Sequence, residues 1–328
     1  MAARQSAPVI GALCSRADHS GVRQAPRRQP WAITVGYRFQ PSSRHFVGTV
    51  EQKQREAAGN QIQNTYHLLD FSISRDLTPR WSLTASLPLL FAYRDQLYPP
   101  RGEYRVSGIG DMTAGVRGWV FRPPTESGGN IGIGVSLKAP TGVYNATGKA
   151  LDRDGNEIVA TADQSIQAGD GGTGFTVDIQ AYKPTVFRSM VYFSGSYLFN
   201  PRNTNGVSTF RSRRGEEVMS VSDQYLFRGG ISHAVPKVRG LTVTFGGRME
   251  GVPVRDAIGG SDGFRRPGYA ISIDPGFMYA TGSYVFSCNI PFAVERNRRR
   301  SVTDIANGTH GDAAFADYAL TFGFSKRF

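Results

Sequence analysis

Residues 315–328 read FADYALTFGFSKRF. Tyr318, Leu320, Phe322, Phe324 and Phe328 share one parity, while Asp317, Thr321, Gly323 and Ser325 fill the other. A period of two sends successive side chains to opposite faces of a strand. One face of this segment is therefore apolar and the other tolerates water. A half-buried strand of a soluble sandwich reads the same way, so the rest of the chain has to decide between the two settings.

The pattern recurs from Trp31 onward. WAITVGYRF sets Ile33, Val35, Tyr37 and Phe39 against Thr34 and Arg38, and HLLDFSISR sets Leu69, Phe71 and Ile73 against Asp70, Ser72 and Ser74. WSLTASLPLLFAY (81–93) carries an apolar face with aromatics at both ends. GDMTAGVRGWVF, IGIGVSLK, FTVDIQAYK, VYFSGSYLF, YLFRGGISH, LTVTFGGRME, YAISIDPGF and YVFSCNIPF continue it. With the terminal run, the chain holds about twelve strands, each with boundaries good to a few residues.

The composition fits strands better than helices. Of 328 residues, 39 are Gly, 20 Phe and 14 Tyr, which suits turns and interfacial aromatic girdles. Hydrophobic content is 40%, and no apolar run approaches the roughly 18 residues of a spanning helix. A spanning strand needs only about ten residues, every second one apolar. Cys14 and Cys288 lie far apart, so neither a disulfide framework nor a metal site is assigned, and no cofactor is expected. The first thirty residues are basic and punctuated by proline. Their apolar stretch APVIGALC is short for a secretory signal. Residues 1–30 read as a leader, disordered or lying ahead of the true start, and 31–328 as a single domain.

Connection lengths decide the architecture. DLTPR, RPPTESGG, KPTVFR, VPKVRG and ATGS are short; residues 40–63, 94–107, 141–172, 200–222, 251–267 and 296–314 are long. The two kinds alternate, which places every long loop at one end. An antiparallel up-and-down transmembrane β-barrel has this asymmetry, with tight periplasmic turns and longer external loops. Closure pairs the last strand with the first and leaves no backbone edge in lipid.

Two stretches carry a family resemblance. SGIGDMTAGVRGWVF (107–121) and GGNIGIGVSLKAPTG (128–142) supply Gly108, Gly110 and Asp111, then Pro140, Thr141 and Gly142. A Gly-x-Gly-Asp opening one strand and a Pro-Thr-Gly ending the next resemble the outer-membrane transporters of the phenol meta-degradation (MetA-like) type. The resemblance extends loosely over residues 31–328 and implies a bacterial outer-membrane barrel that passes small, hydrophobic or aromatic compounds. The terminal run Tyr318, Leu320, Phe322, Phe324, Phe328 likewise resembles the signal read by the barrel-insertion machinery.

Other motifs carry less. GIGDMTAG precedes a strand, whereas a dinucleotide loop opens a helix. LDRDGNE puts Gly155 too early for a calcium loop, so Asp152, Asp154 and Glu157 read as a solvated tip. No Gly-x-Ser-x-Gly elbow is present, and His67 and His233 read as rim residues; an outer-membrane hydrolase is the distant alternative, and the chain is read as a non-enzyme.

The net charge is +12. Arg211, Arg213 and Arg214 fall in one long loop, Arg265 and Arg266 in another, and Arg296, Arg298, Arg299 and Arg300 in a third. These clusters are expected to face outward, where lipopolysaccharide presents phosphates that Arg binds bidentately. Their spread over loops argues against nucleic acid. The polar parity defines the expected lumen: Arg38, Asp70, Asp111, Arg117, Lys138, Asp178, Gln180, Arg228, Arg248, Glu250, Asp274 and Asn289. A polar lumen of this width, filtered by a loop such as 141–172, suits passive passage of small solutes. The alternative is a non-conducting barrel that works through its basic external loops.

Overall fold

The computed structural model describes residues 30–123 and 128–328. The leader with Cys14, and the middle of the turn at 122–129, lie outside the described residues. In chain order the elements are β1 (Trp31–Ser42), β2 (Arg44–Val47), β3 (Val50–Glu51), helix α1 (Gln54–Ala57), β4 (Gln63–Asp76), β5 (Trp81–Gln96), β6 (Gly102–Ile109), β7 (Thr113–Trp119) and β8 (Asn130–Lys138). Then follow β9 (Thr147–Leu151), β10 (Glu157–Thr161), β11 (Gly174–Pro184), β12 (Ser189–Phe199), β13 (Thr204–Ser208), β14 (Val218–Ser220), β15 (Gln224–Ala234) and β16 (Leu241–Val252). The last are β17 (Gly268–Ile273), β18 (Gly276–Thr281), β19 (Tyr284–Asn289), β20 (Phe292–Arg298), helix α2 (Val302–Ala306), β21 (Ala313–Phe315) and β22 (Leu320–Arg327).

Alternation closes into a ring because each strand finds its chain neighbour and the last finds the first. β1 pairs antiparallel with β4 on one side and with β22 on the other, with Val35 opposite both Phe71 and Phe324. The Phe328 N–H donates to the Trp31 carbonyl at 2.9 Å, fastening the seam at the short-turn rim. Around the ring, β6 and β7 make one stave, as do β17 with β18 and β19 with β20, giving a closed barrel of 12 staves.

The outward parity is apolar all the way round. Ile33, Ile73, Leu83, Ile133, Val135, Phe245, Phe286 and Phe322 are exposed. Trp31, Trp81, Phe121 and Phe328 are exposed near the short-turn end. An apolar belt of this extent is stable only against lipid. This is the architecture of a bacterial outer-membrane barrel. The short turns depend on local chemistry. Gly240 sits at φ +83°, and a Cβ there would run into the Ala280 carbonyl.

Three expected boundaries move. Residues 94–107 are not a long loop: β5 and β6 pair up to Gln96 and Gly102, and only 97–101 connect them. The cause is a switch of parity at 110–112. Tyr104 and Val106 are buried on even numbers, while Asp111, Thr113 and Arg117 turn inward on odd ones. One extra residue flips every side chain beyond it. The run 269–277 also breaks, at Asp274–Pro275, and the run 284–292 at Ile290–Pro291, where proline cannot donate to the ladder.

Candidate functional site: the barrel lumen

The lumen begins as hydroxyls. Thr34, Ser72, Thr84, Ser136 and Thr176 alternate with the lipid-facing residues and line a lower chamber that reaches Ser283 and Arg327 at the short-turn rim, with about 1950 Å³ of empty space. A second cavity, sharing Arg38, Asp70 and Asp178 with it, extends the chamber toward β15 and β19. At the other end a vestibule among the long loops is lined by Arg55, Tyr98, Phe210, Arg213 and His310. It shares Tyr98, Arg211 and Asp312 with an upper chamber that also holds Asn64, Arg94, Arg265 and Arg266.

Between the upper and lower chambers stands a segment of the connection 139–173. Tyr66, Ser165, Asp170 and Gln224 face both sides of it. The rest of that connection forms the β9–β10 hairpin, whose exposed turn carries Asp152 and Asp154, with Glu157 paired to Lys149 at 2.8 Å. The inward segment is held by apolar burial first. Ile166 and Ala168 pack with Tyr66, Leu90, Tyr104 and Val106 on the inner wall.

Charge then locks it at two points. The Asp163 carboxylate accepts hydrogen bonds from both Arg266 Nη atoms, at 2.7 and 2.6 Å, and lies 3.5 Å from Arg94. Burial disfavours its charged form, yet Arg266 and Arg94 together hold the carboxyl well below the usual range. At the base of the segment, Lys138 Nζ sits 2.5 Å from Asp170 and 3.6 Å from Asp111. Asp111 accepts from the Gly142 N–H at 3.0 Å and the Asp170 N–H at 3.1 Å, and Thr141 Oγ1 donates to the Gly110 carbonyl at 3.0 Å. The Gly-x-Gly-Asp and Pro-Thr-Gly stretches thus meet as one clasp. It needs glycine on both sides, since a Cβ on Gly142 would lie 2.6 Å from Gly169 Cα.

The twelve residues named from parity all turn to the inside of the wall. Arg38, Asp70, Asp178, Gln180, Arg228, Arg248 and Asn289 line the cavity on the β15–β19 side. Asp111, Arg117 and Lys138 line the other. Glu250 and Asp274 serve as counterions, at 2.6 Å from Arg38 and 2.5 Å from Arg228. The Arg38–Glu250 contact joins β1 to β16 across the lumen, and Arg117 pairs with Asp178 at 2.7 Å.

The loop arginines do not all face outward. Arg265 and Arg298 are only 2% exposed. Arg265 is bound to Asp256 at 2.6 Å and Arg298 to Asp304 at 3.0 Å. Arg296 is buried against Asp317, Arg266 points down to Asp163, and Arg211 is drawn to Glu216 and over the Phe264 ring. Arg213, Arg214, Arg299 and Arg300 keep exposed side chains. A buried guanidinium needs a counterion: Arg211, Arg265 and Arg298 find one in their own loop, whereas Arg266 takes Asp163 from the connection 139–173. The acids Asp163, Asp256 and Asp304 were missed. For Asp256 and Asp304 the signal was an acid in a long loop that carried an arginine cluster; Asp163 had no such neighbour.

His67 and His233 face outward, hydrogen-bonded to Tyr37 Oη at 2.8 Å and Ser189 Oγ at 3.0 Å. Among the described residues no carboxylate is hydrogen-bonded to His233, so the Ser189–His233 pair lacks the third group of a hydrolytic triad. Tyr318, Leu320, Phe322, Phe324 and Phe328 face outward on the last stave, with Phe324 stacked on Tyr284 at 6.1 Å.

No protein-family model matches the chain, and no curated protein matches it. In structure it is similar to the COG4313 outer membrane channel from Pseudomonas putida F1, with 13% identity, 93% of this chain and 100% of that chain covered, and a TM-score of 0.58. Fainter likenesses include the β domain of the Bordetella autotransporter BrkA (12% identity, 90% of this chain and 99% of that one, TM-score 0.49) and the P. putida toluene transporter TodX (10%, 93% and 91%, 0.45). The last two scores carry no argument. The first shows a shared outer-membrane barrel fold.

Proposed function

We propose that the chain is a passive outer-membrane channel for small solutes, including apolar and aromatic ones. The observation that carries this is the string of chambers along the barrel axis, continuous from the loop vestibule to the short-turn rim except at the segment 163–170. Its lower chamber mixes hydroxyls with Leu68, Leu90, Leu198 and Val285, so it can wet and still receive an apolar body. The structurally similar COG4313 protein is described as an outer membrane channel, and the two clasp motifs resemble the phenol meta-degradation transporters. Proteoliposomes bearing the refolded full chain should swell in isosmotic pentose and in small phenols faster than protein-free liposomes. Equal rates would remove the channel reading.

One observation favours the alternative, a closed barrel with working loops: the segment 163–170 is fastened as a lid by buried ion pairs, Asp163 with Arg94 and Asp170 with Lys138. On either reading the exposed arginines are available to lipopolysaccharide phosphates, and the last stave to the insertion machinery.

A further inference from the structure

The short turn between β11 and β12 reads Thr-Val-Phe-Arg over residues 185–188. Phe187 and Arg188 both have positive φ, at 56° and 57°. Glycine or asparagine normally fills such positions, because a bulky side chain is strained there. The tip nevertheless carries Val186 at 70% exposure and Phe187 at 85%. A solvated aromatic in a strained turn adds nothing to the barrel itself, and strain of this kind is kept where a site uses it. The neighbouring turn 235–240 completes a patch. β12 pairs with β15, and the Ala234 N–H donates to the Arg188 carbonyl at 3.1 Å, so the two turns lie side by side. The second turn adds exposed Lys237, Val238 and Arg239. Neither turn contains an acid, and among the described residues Arg188, Lys237 and Arg239 enter no ion pair.

The patch stands clear of lipid. Val191 and Ile231 are the last opposed apolar pair of the outer face here, and Ser189 and His233 follow them, hydrogen-bonded at 3.0 Å. From Val191 to Phe187, at about 3.3 Å per residue and a tilt of about 40°, the chain climbs about 10 Å along the membrane normal. The headgroup layer is only about 5–8 Å deep, so the tip meets the periplasm. A second copy of the chain would bring the same cations, and the chain's own residues 1–30 carry five arginines against one aspartate. Both have the wrong sign.

We propose that the turns 185–188 and 235–240 form a docking surface for a periplasmic protein segment that presents carboxylates around an apolar side chain. Val186, Phe187 and Val238 supply the centre that is dried on contact, and the three cations supply its charged rim. The surface is independent of whether the barrel conducts.

The test is fluorescence anisotropy of a labelled peptide with one leucine between glutamates, titrated with the full-length barrel in phosphatidylcholine nanodiscs. It should bind at least about tenfold more tightly than the same peptide with serine for leucine. Lys237→Ser/Arg239→Ser should weaken both peptides about tenfold at low salt, with the difference lost at high salt. Phe187→Gly relieves the positive φ, so the barrel should stay heat-modifiable on gels while the preference for the leucine peptide disappears. Arg214→Ser/Arg299→Ser, at the opposite rim, should change neither. Absence of peptide binding at low salt, equal binding of the two peptides, or a preference that survives Phe187→Gly overturns the surface. So does an effect of the turn variants on binding to phosphatidylglycerol vesicles but not to the peptides, which would make the patch a lipid anchor.

Discussion

Asp163→Asn is the change that separates lid from wall. The substitution is isosteric and removes one charge from a carboxylate with 1% side-chain exposure. It leaves Arg94, at 3% side-chain exposure, and Arg266, at 15%, facing each other without their counterion. Removing one partner of a buried pair costs about 3–5 kcal/mol. The wall strands make none of these bonds except through Arg94, so the loss falls on the segment 163–170. If about 3 kcal/mol of it is charged to closing, the open population rises by roughly two decades. The variant should therefore migrate as a folded, heat-modifiable barrel, show new protease cleavage between residues 161 and 172, and dwell longer in a larger conducting state. The pH response has a defined sign. A carboxyl depressed in the folded state stabilises fully above its unfolded value, near 3.9, and that stabilisation is lost as pH falls through the folded value. The native latch should hold at neutral pH and open only in strong acid. The variant should show no such transition. Unchanged proteolysis and dwell times in the variant would refute the assignment of the lid to this latch.

Three further outcomes follow from the same geometry. Arg117→Glu places two carboxylates where Arg117 and Asp178 now pair at 2.7 Å, so reversal potentials in a salt gradient should move toward cation selectivity; no movement would mean ions do not pass this point. Phe328→Ala removes an exposed ring but keeps the backbone bond to Trp31, so the outer-membrane fraction should fill more slowly with heat-modifiable barrel, while the melting of barrels once folded changes by no more than about 1 kcal/mol. The double change Arg214→Ser/Arg299→Ser removes exposed charge only and should lower retention on lipopolysaccharide-containing liposomes in low salt, with the difference vanishing at high salt.

The wall was legible because its physics is local. Ile33 and Val35 against Thr34 and Arg38 declare a strand and its two faces whatever lies beyond, and the lumen parity carried through β1, β4, β8, β11 and β16 without slipping. Where a bulge intervened, at 110–112, the alternation on each side stayed clean but the hairpin above it read as loop. The lid was illegible because it is made of long-range pairs. Nothing near Asp163 announces Arg266, 103 positions away, and an arginine-rich loop has the same sequence whether it points to water or into the barrel. Counting acids in those loops was the available clue only for Arg265 and Arg298, whose partners Asp256 and Asp304 lie in the same loop. The motif glycines were readable as close packing. That Asp111 would clasp both ends of the inward loop was not, because its partners are backbone N–H groups of Gly142 and Asp170.

The measurement that bears most directly on the central claim is single-channel recording of the refolded full-length barrel in a planar bilayer, after cold and boiled gel samples have verified its fold. Discrete current steps are expected, with a small conductance set by the constriction at Tyr66, Ser165, Asp170 and Gln224. A folded barrel that gives no steps in the native form or in Asp163→Asn would contradict it, and would leave the basic loops as the working surface.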